Sequence, residues 1–84
     1  MGRFHFDVRY DGQSWSEDVK VIEATSPKEA RQEAVELALW LAKEHLSASE
    51  LVIRVRDEAP EPLASVRVSI ERSRRWPSFT LQFT

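Results

Sequence analysis

The sequence contains no cysteine among its 84 residues. Without thiols the chain cannot build a disulfide framework, a thiolate zinc site or a cysteine nucleophile. Glycine is scarce as well, with two residues, and the sequence has neither a glycine-rich phosphate loop nor the turn that carries a serine nucleophile. These absences exclude many kinds of catalytic and cofactor site.

Long apolar runs are missing too. No stretch approaches the roughly 18 apolar residues that a membrane-spanning helix needs. The start, Met1 to Phe4, has no apolar run of signal-peptide length, and Phe6 stands where a myristoylation signal has Ser or Thr. We therefore expect no membrane attachment, and a cytoplasmic location is the simplest expectation.

The chain has two histidines, His5 and His45. Alternation places His5 on the open side of the first predicted strand, and helical periodicity places His45 on the apolar side of the predicted helix near its end. The two are therefore not expected to share a metal ion. His5, Asp7 and a neighbouring serine could form a catalytic constellation, but ordinary neighbours on a solvated strand face explain them as well. We expect no enzymatic activity, no metal and no cofactor.

Charge is nearly balanced, at −2 with neutral histidines, but it is unevenly spread. Residues 17–50 carry eight acids and four bases, whereas residues 51–84 carry six arginines and four acids. Arginine suits bidentate pairing with carboxylate or phosphate, although this excess is small for a dedicated nucleic-acid binder. At this length, with 42% hydrophobic residues, we expect one folded domain over residues 1–84.

The hydrophobic pattern predicts an α+β fold, in which one amphipathic helix packs on a mostly antiparallel sheet in the order ββαβββ. Strict alternation from Arg3 to Tyr10 indicates a half-buried strand, and Asp11-Gly12 supplies a turn into a second strand within residues 13–24. A basic connection over residues 72–77 precedes the last strand. The strands predicted after the helix cover residues 51–56, 64–71 and 78–84.

The helix start is the clearest local signal. Ser26, Pro27 and Glu29 are typical of an N-cap, a first helical residue and the closing glutamate of a capping box. From Pro27 to about Leu46 the apolar residues fill an arc of roughly 200° on a helical wheel. This arc is wider than one flat sheet requires, so we expect one flank to meet the C-terminal segment or a second chain. The alanines expected at the centre of the arc are Ala30, Ala34, Ala38 and Ala42.

Several stretches resemble a known family. They are Gly2–Arg9 followed by Asp11-Gly12, then Ala30–Ala34, then Val55–Glu58. The family consists of short alphaproteobacterial proteins, common in rhizobia, and is catalogued as a domain of unknown function. The resemblance covers residues 1–72, with a departure at Ser16-Glu17-Asp18, where members have a glycine-containing acidic turn. Members end near residue 72, so the strand at 78–84 is interpreted as an addition. The resemblance implies no catalytic residue, cofactor or partner.

Trp40 falls in the middle of the polar side of the predicted helix. An exposed tryptophan ringed by charges is typical of an interface anchor, although its ring could equally lie over neighbouring side-chain stems or under the C-terminal segment. Together with the wide arc and a free strand edge, it predicts a non-enzymatic interaction or regulatory module that self-associates or binds another protein. The interface candidates are Trp40, Val35, Leu39, Leu46, Phe79, Leu81 and Phe83.

Arginines are expected on the open face of the sheet, with acids interspersed. This pattern indicates either a platform for anions or single-stranded nucleic acid, or simple cross-strand ion pairing, and the face lacks the aromatic residues that such platforms use for base stacking. An antitoxin-like partner of a toxin is a third alternative. The anion and nucleic-acid candidates are Arg54, Arg56, Arg67, Arg74, Arg75 and Trp76.

Overall fold

The computed structural model describes residues 2–59, 61–72 and 75–83, and it confirms the α+β class and the order ββαβββ. The strands lie in one sheet with spatial order β2-β1-β3-β4-β5, in which all four neighbouring pairs are antiparallel. The elements are β1 (Gly2–Tyr10), β2 (Ser16–Ala24), α1 (Pro27–Glu44), β3 (Glu50–Arg56), β4 (Ala64–Glu71) and β5 (Ser78–Phe83).

The start of α1 follows the sequence prediction. Ser26 is the N-cap, and its Oγ accepts a hydrogen bond of 3.2 Å from the backbone N–H of Glu29. The Glu29 carboxylate accepts a hydrogen bond from the hydroxyl of Thr25, one residue before the cap. Both contacts order the first turn, where backbone N–H groups have no helical partner.

The end of α1 comes at Glu44, two residues earlier than expected. His45 is the C-cap; its backbone N–H donates to the Leu41 carbonyl. Its ring is centred 4.9 Å from the ring of Tyr10. His45 and Leu46 therefore lie beyond the helix, not on its apolar side, because the chain has already turned towards β3. Within the part of the chain that the structure describes, no helix is long and apolar enough to cross a membrane.

Small side chains separate α1 from the sheet. Ala30, Ala34, Ala38 and Ala42 are fully buried, because a spacing of four residues keeps them on one side of the helix. The strands supply the larger core side chains, and burying these apolar surfaces is the main stabilising term for a domain of this size. The sheet contributes to the core Phe4, Phe6, Val8, Leu51, Ile53, Val55, Val66, Val68 and Ile70.

The strand register sorts residues into rows that cross the sheet. One row, on the helix side, joins Val8, Ile53, Val66 and Phe83. The adjacent row lies on the open side, because successive strand residues point to opposite faces. It joins Arg9, Val52, Arg67 and Gln82.

The two edge strands, β2 and β5, differ in regularity. Phe6 lies opposite Lys20 but Val8 lies opposite Ser16, so β2 holds two extra residues at a bulge. Asp18, within this bulge, has a φ of 52°. β5, by contrast, follows β4 in unbroken register. The last strand thus pairs within its own chain on one side and leaves its other edge free in the described structure.

Candidate functional site

The open face of the sheet is organised around a buried carboxylate. Asp7 Oδ2 accepts hydrogen bonds from Nε of Arg54 at 2.8 Å and Nε of Arg56 at 2.5 Å. Asp7 Oδ1 accepts from Nη2 of Arg56 at 2.9 Å and from the backbone N–H of Asp18 at 3.0 Å. Asp7 is fully buried. The prediction that it lies on a solvated face was therefore wrong, because long arginine side chains from β3 cover it.

The bulge in β2 completes this network. The Asp18 carboxylate accepts a hydrogen bond of 2.8 Å from Nη2 of Arg56, and its Oδ1 lies 3.0 Å from Nδ1 of His5. The backbone N–H of the same residue points at Asp7. The left-handed conformation of Asp18, which aspartate tolerates better than most residues, thus directs a donor and an acceptor to the same cluster.

The arginines keep Asp7 ionised. Burial by itself raises the pKa of Asp7, but the hydrogen bonds from Arg56, from the Asp18 backbone and from Arg54 outweigh it and lower the pKa from 3.8 to about 2. The hydrogen bond to Asp7 in turn raises the pKa of Arg56. Two of the candidate anion-binding arginines therefore neutralise a buried acid, which supports the ion-pairing interpretation for both.

A pocket lies beside this cluster. The centroid of the Trp15 ring is 4.2 Å from Cζ of Arg54 and 4.5 Å from Cζ of Arg9, within the range of cation–π contacts. The sequence pattern predicts no aromatic residue on this face. That expectation was wrong, because Trp15 reaches the face from the β1–β2 loop and not from a strand. The pocket has a volume of about 330 Å³ and is also lined by Val52, Pro62, Leu63, Ala64, Ser65 and Arg67.

The remaining anion candidates are more dispersed. Arg67 is exposed, with its Nε 3.7 Å from the carboxylate of Glu50. Arg75 and Trp76 are exposed in the connection between β4 and β5, which follows the end of β4, whereas the pocket is formed at its start. Arg74 lies outside the described residues. The structure thus brings Arg54, Arg56 and Arg67 to one face and leaves the basic connection apart from the pocket.

Most interface candidates gather on one flank. Val35 and Leu39 are half-buried, one helical turn apart on α1. Phe79 and Leu81 of β5 are half-buried against the core, whereas Phe83 is 58% exposed. Val35 and Phe83 line a groove of about 390 Å³, together with Lys28, Arg31 and Gln32. The broad apolar arc of α1 therefore continues onto β5.

The interface candidates Trp40 and Leu46 lie outside the flank formed by α1 and β5. Trp40 is 60% exposed, so the C-terminal segment does not cover it in the described structure. At about 100° per residue, it is separated from Leu39 by more than a quarter of the helix circumference. Leu46 is exposed after the end of α1.

The two histidines lie apart, as expected. His5 contacts Asp18 in the bulge, and His45 contacts Tyr10 at the other end of β1. Among the residues that the structure describes, no three His, Cys, Asp or Glu side chains are grouped so that they could hold a metal ion.

The fold and the open face define a small α+β domain with one helix on a five-stranded antiparallel sheet. Residues 3–69 match the family described as Domain of unknown function (DUF6894), and the chain belongs to this family. Neither a curated protein nor a solved structure matches the chain. β5 lies outside the matched residues.

Proposed function

We propose that this protein is a non-enzymatic interaction module that self-associates through β5. The observation that carries the proposal is the contrast between the two edges of the sheet. An edge strand presents a row of unpaired N–H and C=O groups, and a second strand can pair with them unless the edge is protected.

The β2 edge has two such protections. It carries four charged side chains, and its bulge breaks the regular ladder at Asp18. Charges and bulges are the features with which β-proteins prevent pairing between edges. A second sheet is therefore disfavoured on this side. The charged residues of β2 are Glu17, Asp18, Lys20 and Glu23.

The β5 edge has neither protection. The strand Ser78–Phe83 contains no charged residue and no proline, and its register with β4 is regular. Its apolar residues alternate, so that Phe79, Leu81 and Phe83 share the helix side. This strand is suited to pairing with a further strand by backbone hydrogen bonds, with its apolar side chains adding contact area.

A second copy of the chain is the occupant that this edge fits. A two-fold axis perpendicular to the sheet would pair two β5 strands antiparallel and keep both helices on the same side. The apolar side chains of both β5 strands would then meet beside the groove between Val35 and Phe83. The groove is also lined by Lys28 and Arg31, whereas β5, which would form the contact, is uncharged.

The test measures oligomeric state by sedimentation velocity and light scattering. The wild-type protein is expected to dimerise at tens of micromolar, about 6 to 7 kcal/mol of association. Phe83→Asp is expected to weaken the dimer by at least about tenfold, because it places a charge at an interface that excludes water. Circular dichroism shows whether each variant keeps the wild-type fold.

Val21→Asp is the matched control, because Val21 is 46% exposed on the opposite edge strand, and this variant is expected to dimerise like the wild type. Trp40→Ala tests the outer side of the helix and is also expected to dimerise normally. A wild-type monomer at about 1 mM contradicts the proposal. So does equal weakening by Phe83→Asp and Val21→Asp, or loss of the dimer in Trp40→Ala.

A further inference from the structure

We propose that the pocket on the open face of the sheet binds a phosphate group attached to a planar ring, and that Arg9 holds the phosphate. The pocket lies over the middle of the sheet, between β1, β3 and β4. It involves no residue of β5, so this proposal does not depend on self-association.

The ion pairs of the open face leave Arg9 without an acidic partner among the described residues. Asp7 pairs with Arg54 and Arg56, Asp18 also pairs with Arg56, and Glu50 pairs with Arg67. Within the described residues Arg9 takes part in none of these ion pairs, so no carboxylate contacts its guanidinium directly.

Arg9 also has an unsatisfied donor. Its Nε is buried and has no hydrogen-bond partner among the described residues. Buried donors in folded proteins are almost always paired, with a protein group, a water or a ligand. The guanidinium contacts the Trp15 ring, which holds it beside the pocket but offers no acceptor oxygen. Arg9 lines the pocket, so an oxyanion bound there supplies the acidic partner that its guanidinium lacks.

The register favours phosphate as the oxyanion. Arg9 and Arg67 lie on either side of Val52 in one row of the sheet. The 3.7 Å contact of Arg67 with Glu50 is longer than a hydrogen bond, and this side chain is half exposed, so it can turn towards a ligand. Two guanidinium groups that line one pocket from β1 and β4, on either side of β3, suit the several oxygens of a phosphate, whereas one guanidinium is sufficient for a carboxylate.

The walls of the pocket favour a planar apolar body on the ligand. Trp15 offers an aromatic ring, and Val52, Pro62 and Leu63 are apolar. A volume of about 330 Å³ lies at the lower end of the range for small-molecule sites. An aromatic ring packs well against such side chains. Aromatic phosphates and the nucleotides of a single strand both carry this chemistry.

The test uses the fluorescence of Trp15 with phenyl phosphate as the probe, at low salt. The background variant is Trp40→Phe with Trp76→Phe, because the chain has three tryptophans and this leaves Trp15 as the reporter. We expect a saturable change in emission. In the same background Arg9→Gln is expected to weaken binding by at least about tenfold. Arg3→Gln, an equal loss of charge from the same strand, is expected to change it by less than about twofold.

Further probes identify what is recognised. Phenol lacks the phosphate and is expected not to bind; binding as tight as that of phenyl phosphate overturns the proposal. A short single-stranded oligonucleotide that competes with phenyl phosphate identifies nucleic acid as the source of the phosphate, and failure to compete identifies a small ligand. Both outcomes support the site.

Two results overturn it. One is no saturable change up to about 10 mM phenyl phosphate. The other is equal weakening by Arg9→Gln and Arg3→Gln, which would show a general charge effect. Phe83→Asp is expected to bind phenyl phosphate as the wild type does, so failure of the dimer proposal and failure of this one give different results.

Discussion

Asp7→Asn is the substitution with the sharpest expected effect on the fold. The variant keeps the size of the side chain, but it removes the charge and turns one oxygen acceptor into an NH2 group that faces arginine donors. Removing one partner of a buried ion pair costs about 3–5 kcal/mol. The lower value applies, because the side chains of Arg54 and Arg56 are 23% and 26% exposed and can be hydrated. We expect the free energy of unfolding to fall by about 3 kcal/mol.

The pH dependence provides an independent measure of the same interaction. The pKa of Asp7 is lowered from 3.8 to about 2 in the folded protein, so the folded state binds this proton less readily than the unfolded state. The stabilisation is fully present above pH 4 and is lost as the pH falls towards 2. The difference in pKa corresponds to about 2 kcal/mol. Asp7→Asn lacks this component, so its stability should fall less steeply over the same interval.

The assay is urea unfolding followed by tryptophan fluorescence, at pH 7 and at steps between pH 4 and pH 2. A loss of 3 kcal/mol also lowers the Tm of a domain of this size by about 12–24 °C. Glu23→Gln is the control, since the exposed 3.9 Å contact of Glu23 with Arg3 contributes at most about 1 kcal/mol. An Asp7→Asn variant within about 1 kcal/mol of the wild type would refute the reasoning. So would an identical loss of stability in acid.

Two further substitutions test the loops and the core by the same urea assay. Asp11→Ala is expected to lose about 1–2 kcal/mol, because Asp11 Oδ1 accepts hydrogen bonds from the backbone N–H groups of Ser49 and Glu50; Asp11→Asn should retain most of this stability, and an equal loss would contradict the assignment. Ala38→Leu is expected to lose about 1–3 kcal/mol, since Ala38 is fully buried between helix and sheet, and an unchanged stability would show that α1 can move away from the sheet.

Local patterns were sufficient to predict the elements. Alternation in β1 correctly separated Phe4, Phe6 and Val8 from the residues of the open face, since a strand has the same period wherever it lies. The start of α1 at Ser26-Pro27 could also be predicted, because capping depends on neighbours within one turn. Three of the four strand pairings also join strands that follow one another in the order β1-β2 and β3-β4-β5.

Contacts between residues that are far apart in the sequence could not be predicted from local patterns. Asp7 and Arg56 are 49 positions apart, and alternation assigns Asp7 to the polar side without saying whether water or arginines will cover it. Trp15 was missed for a related reason, since a loop side chain has no periodicity to indicate its face. The turn at Asp11-Gly12 limits how far Trp15 can lie from the end of β1, and this was the signal that could have placed it over the sheet.

The pairing of β1 with β3 determines where both proposed binding surfaces lie in the sheet. It brings Asp7 opposite Arg54 and places β1 inside the sheet, so that β2 is left at the edge with its bulge turned to the Asp7 cluster. Charges and irregularity in β2 therefore complete the open face and protect that edge at the same time. β5 does not contribute to the Asp7 cluster. It is a regular, uncharged strand, in which Phe79 pairs with Ile70 and Phe83 with Val66. Because the pocket is formed over β1, β3 and β4 and the free edge belongs to β5, the proposed ligand site and the proposed dimer contact do not overlap, and neither proposal excludes the other.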